Sequence, residues 1–161
     1  MTLCGTDKVI EKQAFDLVGF TKIVTSGGEQ YDDVRKSGKW DILRQIAGDD
    51  KTIFGIGSYD KETPKDHYRY TLAVIKPADL TRFQAYEPQL YSFHVKPSRW
   101  CVFTFDHFGR QYGKFWGQNP YQMIKDLGFT YNTVLNLHLD VYPEAFQTDD
   151  DEMEFWMPIK S

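Results

Sequence analysis

At 161 residues the chain is long enough for one domain with a real core, and its net charge of −4 points away from a nucleic-acid or anionic-membrane surface. No apolar run reaches transmembrane length. Aromatics are the anomaly: four Trp, ten Tyr and twelve Phe carry more ring surface than one core of this size needs, enough to line a groove.

The start, "MTLCGTDKVIEK", lacks the charged-then-apolar pattern of a signal peptide, so a cytoplasmic location is expected. Residues 8–25 read as a first strand, closed by the turn Ser26-Gly27-Gly28. A helical stretch follows over 29–47, interrupted at Ser37-Gly38 and stopped by Gly48. Its apolar stripe holds Val34, Ile42, Leu43 and Ile46, with Trp40 at the border. Residues 52–59 and 67–76 form a hairpin across a polar turn containing Pro64.

Then the order begins again. Residues 89–108 read as a long strand bent at Pro97, followed by a helix with Asn119 as N-cap, Pro120 at its first position and Gly128 as its stop. Strands over 133–142 and 152–160 flank the acidic loop "PEAFQTDDD", expected to be a solvated tip. Two cysteines, Cys4 near the start and Cys101 in an apolar strand, indicate neither a disulfide framework nor a metal cluster.

Both halves thus read strand, helix, strand, strand. Tyr59 and Tyr142 close corresponding strands, and "VIKP" at 74–77 and "PIKS" at 158–161 end the halves alike. The expectation is one α+β domain over 1–161, made of β-α-β-β repeats at about 8–77 and 89–160. The repeats would be related by a pseudo-two-fold, with an antiparallel sheet, helices on one side and a central groove.

In "LNLHLDVY" the residues Leu135, Leu137, Leu139 and Val141 point one way from a strand, and Asn136, His138, Asp140 and Tyr142 the other. Laid against the first half, His138, Asp140 and Tyr142 match Gly55, Gly57 and Tyr59. Two readings stay open. The glycines open one wall of a groove whose other wall is charged, or they mark a bulge or a steric fit to a helix. Asp140 has its own alternative as a solvated outer-face residue. His138 and Asp140 alone do not make a metal site, and Cys101, on a strand face with Phe103 and Phe105, suits an inert core thiol.

"FDLVGF", "HVKPSRWCVFTF", the "GF" at 128–129, "LDVY" at 139–142 and "MPIK" together resemble the GyrI-like effector-binding family. These are small-molecule-binding domains found behind DNA-binding modules in bacterial AraC-type and MerR-type regulators, and also as free-standing proteins. The resemblance covers nearly the whole chain. It implies the doubled fold and an aromatic groove faced by an acidic residue, here Asp140 where the family often has Glu. The early first strand leads to an expected free-standing form that does not itself bind DNA. The implied function is sensing or sequestering amphipathic, aromatic and often cationic compounds of the multidrug type, without catalysis, cofactor or metal. The ligand-binding candidates are Asp140, Tyr142, His138, Tyr59, Gly57, Tyr70, Trp100, Trp116 and Phe155. Tyr70 shares a face with Leu72 and Val74 and so also reads as core, and Trp116 also reads as helix-on-sheet packing. Family members imply two alternatives. One is a hydrolase for cyclopropane-containing, DNA-alkylating toxins, with Asp140 or His138 as base. The other is a gyrase-inhibitor-like role with a protein partner; a homodimer is a further option.

Overall fold

A computed structural model describes residues 5–59 and 61–160; Cys4 lies outside them. The chain runs β1 (Gly5–Lys12), β2 (Phe15–Val24), α1 (Gly27–Lys36), α2 (Lys39–Ile46), β3 (Ile53–Ser58) and β4 (Tyr68–Ile75). After short 3-10 turns over Thr81–Gln89 come β5 (Tyr91–Val95), β6 (Ser98–Phe105), α3 (Phe108–Gly117), α4 (Pro120–Asp126), β7 (Leu137–Tyr142) and β8 (Met153–Ile159). The eight strands make one sheet in the order β1-β6-β8-β7-β3-β4-β2-β5, and every neighbouring pair is antiparallel.

Exchanging β1–β4 for β5–β8 turns that order into its own reverse, which is the signature of a two-fold between the halves. β3 and β7 meet at the centre, and each half gives its first strand to the other: β1 pairs with β6 and β5 with β2. The α+β fold with a doubled unit is therefore present.

The exchanged strands correct two expectations. The stretch 8–25 is two strands, because the chain reverses at Gln13-Ala14, where no Gly or Pro announces a turn. The stretch 89–108 is also two strands, and its Phe108 already opens α3. Pro97, which lacks an N–H for the ladder, separates β5 from β6 rather than bending one strand. The interruption between α1 and α2 is as expected: Gly38 takes φ 81°, a conformation glycine adopts without a Cβ penalty. Asn119 precedes α4 at φ 58° and its side chain makes no capping bond, so it serves by its backbone rather than as an N-cap acceptor.

The helices pack on one face of the sheet, where Trp40, Leu43, Ile46, Phe103, Phe115 and Phe155 join a large apolar cluster. A second cluster fills the other face and includes Leu17, Phe54, Val95, Trp100, Leu139 and Trp156. It reaches from β5 to β6 through residues of every strand between them. The rings Phe15, Phe54, Trp156 and Trp100 run across it at centroid spacings of 5.8, 6.1 and 6.0 Å.

The acidic loop 143–151 joins the paired strands β7 and β8 and is largely exposed, as expected of a hairpin tip, but it is anchored to the helices. Phe146 is fully buried. Arg44 holds the loop by donating to the carbonyls of Pro143 at 2.9 Å and Phe146 at 2.8 Å, and Arg35 donates to the Gln147 carbonyl. The carboxylate of Asp151 accepts the N–H groups of Gln147 and Thr148, folding the loop on itself. The anchoring was not legible from charge, because one apolar side chain and two arginines from the helices decide where the loop lies.

Candidate functional site: an acidic, aromatic cavity over the central strands

β7 alternates as its sequence demands. Leu137, Leu139 and Val141 enter the second cluster, and His138, Asp140 and Tyr142 point to the helical face. A cavity of about 670 Å³ lies over that face, bounded by the first residues of α1 (Gly27, Gly28) and of α3 (Phe108, Gly109). Its walls are dominated by tyrosines and carry three carboxylates, Asp32, Asp140 and Asp149, with no Lys or Arg among the described lining residues.

Asp140 is the deepest charge, 1% exposed. Tyr70 donates to its Oδ2 at 2.5 Å and Tyr112 to its Oδ1 at 2.7 Å, while the Tyr142 hydroxyl lies 3.4 Å from that of Tyr70. Burial pushes the Asp140 carboxyl up to about 6, against the pull of the two tyrosine hydroxyls that bond its ionised form. Burial, with the nearby carboxylate, also holds Tyr70, Tyr112 and Tyr142 well above the usual phenol range, so they stay protonated. His138 moves the other way: burial lowers it to about 4 and keeps the imidazole neutral at physiological pH.

The register explains the glycines. Gly55 lies opposite Asp140, and Gly57 opposite His138. A Cβ on Gly55 would sit 2.1 Å from the Tyr70 hydroxyl oxygen, and one on Gly57 would sit 2.4 Å from His138 Cε1. Neither open reading is realised as stated: the glycines do not line the cavity, and the fit they serve is to side chains of the neighbouring strands rather than to a helix. The glycines make room for this chain's own Tyr70 and His138, and Gly57 is not part of the cavity wall.

Asp140, Tyr142, His138, Tyr59, Tyr70 and Trp116 are brought together around the cavity, with Tyr59 at its exposed rim. Tyr70 is both core and wall. Phe155 stands behind them, fully buried, its ring 5.2 Å from His138 and 5.4 Å from Trp116. Trp100 is a correction: it is buried in the second cluster, because β6 turns Cys101, Phe103 and Phe105 toward the helices and alternate residues away. Asn136, expected to share the face of His138, is exposed at φ 50° before β7 begins. Tyr31, Tyr112 and Asp149 line the cavity without having been singled out, and Tyr68, which by its shared face with Leu72 and Val74 reads as core, lines it too. Tyr112 had a signal, since Phe108, Tyr112 and Trp116 repeat every four residues along α3. Asp149 had none; its position, accepting from Tyr31 at 2.8 Å, depends on the fold of the acidic loop.

Tyr112→Phe should raise Asp140 further, by about 1 pH unit, since it removes one hydrogen bond to the ionised form. The carboxyl carbon shift of Asp140, followed by NMR through pH 4 to 8, checks this. An unmoved midpoint would mean that the bond does not favour the carboxylate.

No protein-family model and no curated protein matches the chain. Solved structures do. SAV2435 bound to tetraphenylphosphonium superposes with a TM-score of 0.73 at 13% identity, over 96% of this chain and 93% of that one. A protein from Staphylococcus aureus MU50, named for bacterial transcription regulation, gives 0.70 at 15% identity, over 98% and 100%. A hydrolase encoded by lin2189 from Listeria innocua gives 0.54 at 9% identity, over 95% and 91%. The fold is shared. At these identities the likeness concerns architecture, and the chemistry must come from the residues in this cavity.

Proposed function

We propose that this chain is a small-molecule-binding domain of the effector type, and that its ligands are amphipathic aromatic cations. The observation that carries the reading is Asp140, a buried carboxyl in a tyrosine-walled cavity whose described lining residues include no Lys or Arg. Keeping such a group ionised is unfavourable unless a counter-charge arrives, and a bound cation supplies one. The rings add cation–π attraction of about 0.5–2 kcal/mol each. The volume of about 670 Å³ suits a drug-sized molecule. Both oxygens of Asp140 already accept tyrosine hydroxyls, which favours cations without N–H donors, attracted by charge rather than by a direct hydrogen bond.

Thermal unfolding with tetraphenylphosphonium, the cation held by a structure of this fold, tests the reading. At a hundred times its Kd the ligand should add about 2.7 kcal/mol of stability. Tetraphenylborate, of similar shape and opposite charge, should add none. Equal shifts, or none with any aromatic cation, would sink the proposal.

A second reading has one observation in its favour. A carboxyl near 6 is matched to general-base work at neutral pH, as hydrolysis of a strained electrophile would need. Each of its oxygens already accepts a tyrosine hydroxyl, which lowers its basicity toward a water, so binding without turnover is preferred. Recovery of hydrolysed compound from the complex would reverse that preference.

A further inference from the structure

We infer that His138 is the cavity's second point of recognition, and that it selects aromatic cations bearing a hydroxyl or similar hydrogen-bond donor about one ring's length from the charge. The inference rests on the cation-binding reading above and names the ligand more closely.

His138 is 9% exposed, lines the cavity, and makes no hydrogen bond with any described residue. Trp116 stands against its ring at 5.1 Å and Phe155 at 5.2 Å, and neither ring face offers a polar partner. Behind it is Gly57, so close that a single Cβ there would collide with the imidazole. The ring is thus enclosed by apolar groups, and the cavity is the side from which a partner can come. A neutral imidazole keeps one nitrogen as acceptor and one N–H as donor. Its ring nitrogens are not among the polar atoms sealed from solvent, so they open to the cavity, where a ligand group can take the place of water.

The contrast with Asp140 sharpens the assignment. Both polar side chains stand on one face of β7, but the carboxylate oxygens are engaged by Tyr70 and Tyr112. Each carboxylate oxygen thus already has one donor, whereas His138 has no hydrogen-bond partner among the described residues. The larger unmet hydrogen-bonding need is therefore at His138, and Asp140 contributes chiefly charge. Alternate residues of a strand are about 7 Å apart, which sets the separation between the two recognised groups. A cation with a para-hydroxyphenyl arm spans a distance of that order.

The test compares tetraphenylphosphonium with (4-hydroxyphenyl)triphenylphosphonium by calorimetry on the wild type, His138→Leu and His138→Gln. The wild type should favour the phenol about three- to tenfold, the size of one net hydrogen bond. His138→Leu should bring the ratio to about one, and His138→Gln, which keeps an acceptor, should restore part of it. Binding of both probes without preference in the wild type, or a preference surviving in His138→Leu, overturns the role of His138 while leaving cation binding intact. Failure of both probes to bind the wild type overturns the cation reading and this inference with it. Should the leucine variant fail to fold, the wild-type ratio and the glutamine variant decide.

Discussion

Asp140→Asn is expected to weaken tetraphenylphosphonium binding at pH 7 by about ten- to a hundredfold, the range for losing one buried charge partner of about 1.5–3 kcal/mol. The wild type should carry a pH signature that the variant lacks. Asp140 is ionised above about 6 and neutral below it, so cation affinity should rise with pH up to about 6 and level off above. Its steepest slope should be about tenfold per pH unit. In Asp140→Asn the profile should be flat between pH 5 and 8, because His138, held near 4, stays neutral there. A wild-type affinity that falls as pH rises through 6 would contradict the role of Asp140.

The free protein should respond with the opposite sign. The carboxyl titrates near 6 in the fold and near 3.9 in an unfolded chain. Its contribution to stability is full below about pH 4 and is lost as pH climbs to 6. At 1.36 kcal/mol per pH unit, the loss is about 3 kcal/mol at most. Asp140→Asn should therefore make the unliganded protein more stable at pH 7 while making it a poorer binder. His138 acts in the reverse sense: its neutral form is favoured by the fold, so its contribution is lost as pH falls from 6.5 toward 4. The two groups offset one another across nearly the same window in the wild type. Removing Asp140 should expose the acid sensitivity of His138, visible in denaturant midpoints at pH 4.5 and 7.

Gly55→Ala is expected to destabilise the protein by about 2–4 kcal/mol and to abolish strong cation binding. The new methyl would lie 2.1 Å from the Tyr70 hydroxyl oxygen and 2.8 Å from its ring carbon Cζ. Tyr70 is 3% exposed, so its ring has little room to move without disturbing the core. Displacing it combines overpacking, about 1–3 kcal/mol, with loss of a hydrogen bond to a buried carboxylate. Asp140 would then keep Tyr112 as donor and titrate higher. Urea unfolding of the two proteins measures the effect. A change below about 0.5 kcal/mol would mean that Tyr70 is free to swing out, and that Gly55 is no part of the site's construction.

The duplication was legible in the sequence because element types recur in order, with Tyr59 and Tyr142 at matching places. The exchange of β1 and β5 was not, since pairing partners are chosen by distant strands and leave no local mark. Parity carried His138, Asp140 and Tyr142 to one face correctly, and the same rule applied along β6 would have removed Trp100. Tyr112 and Trp116 stand one helical turn apart and could be read together once α3 was recognised.

Alone, the sequence determined the alternation of β7, the glycine pair at the matching place in the first half and the surplus of aromatic rings. These are local properties, carried by neighbouring side chains and by the absence of a Cβ. Only the tertiary structure decided that Gly55 and Gly57 accommodate Tyr70 and His138 rather than a ligand. It also decided that Tyr112 reaches Asp140, and that the acidic loop brings Asp149 to the cavity. Those outcomes depend on strand register and helix placement, and hydrophobic packing sets both over the whole sheet, so no short stretch of the chain contains them.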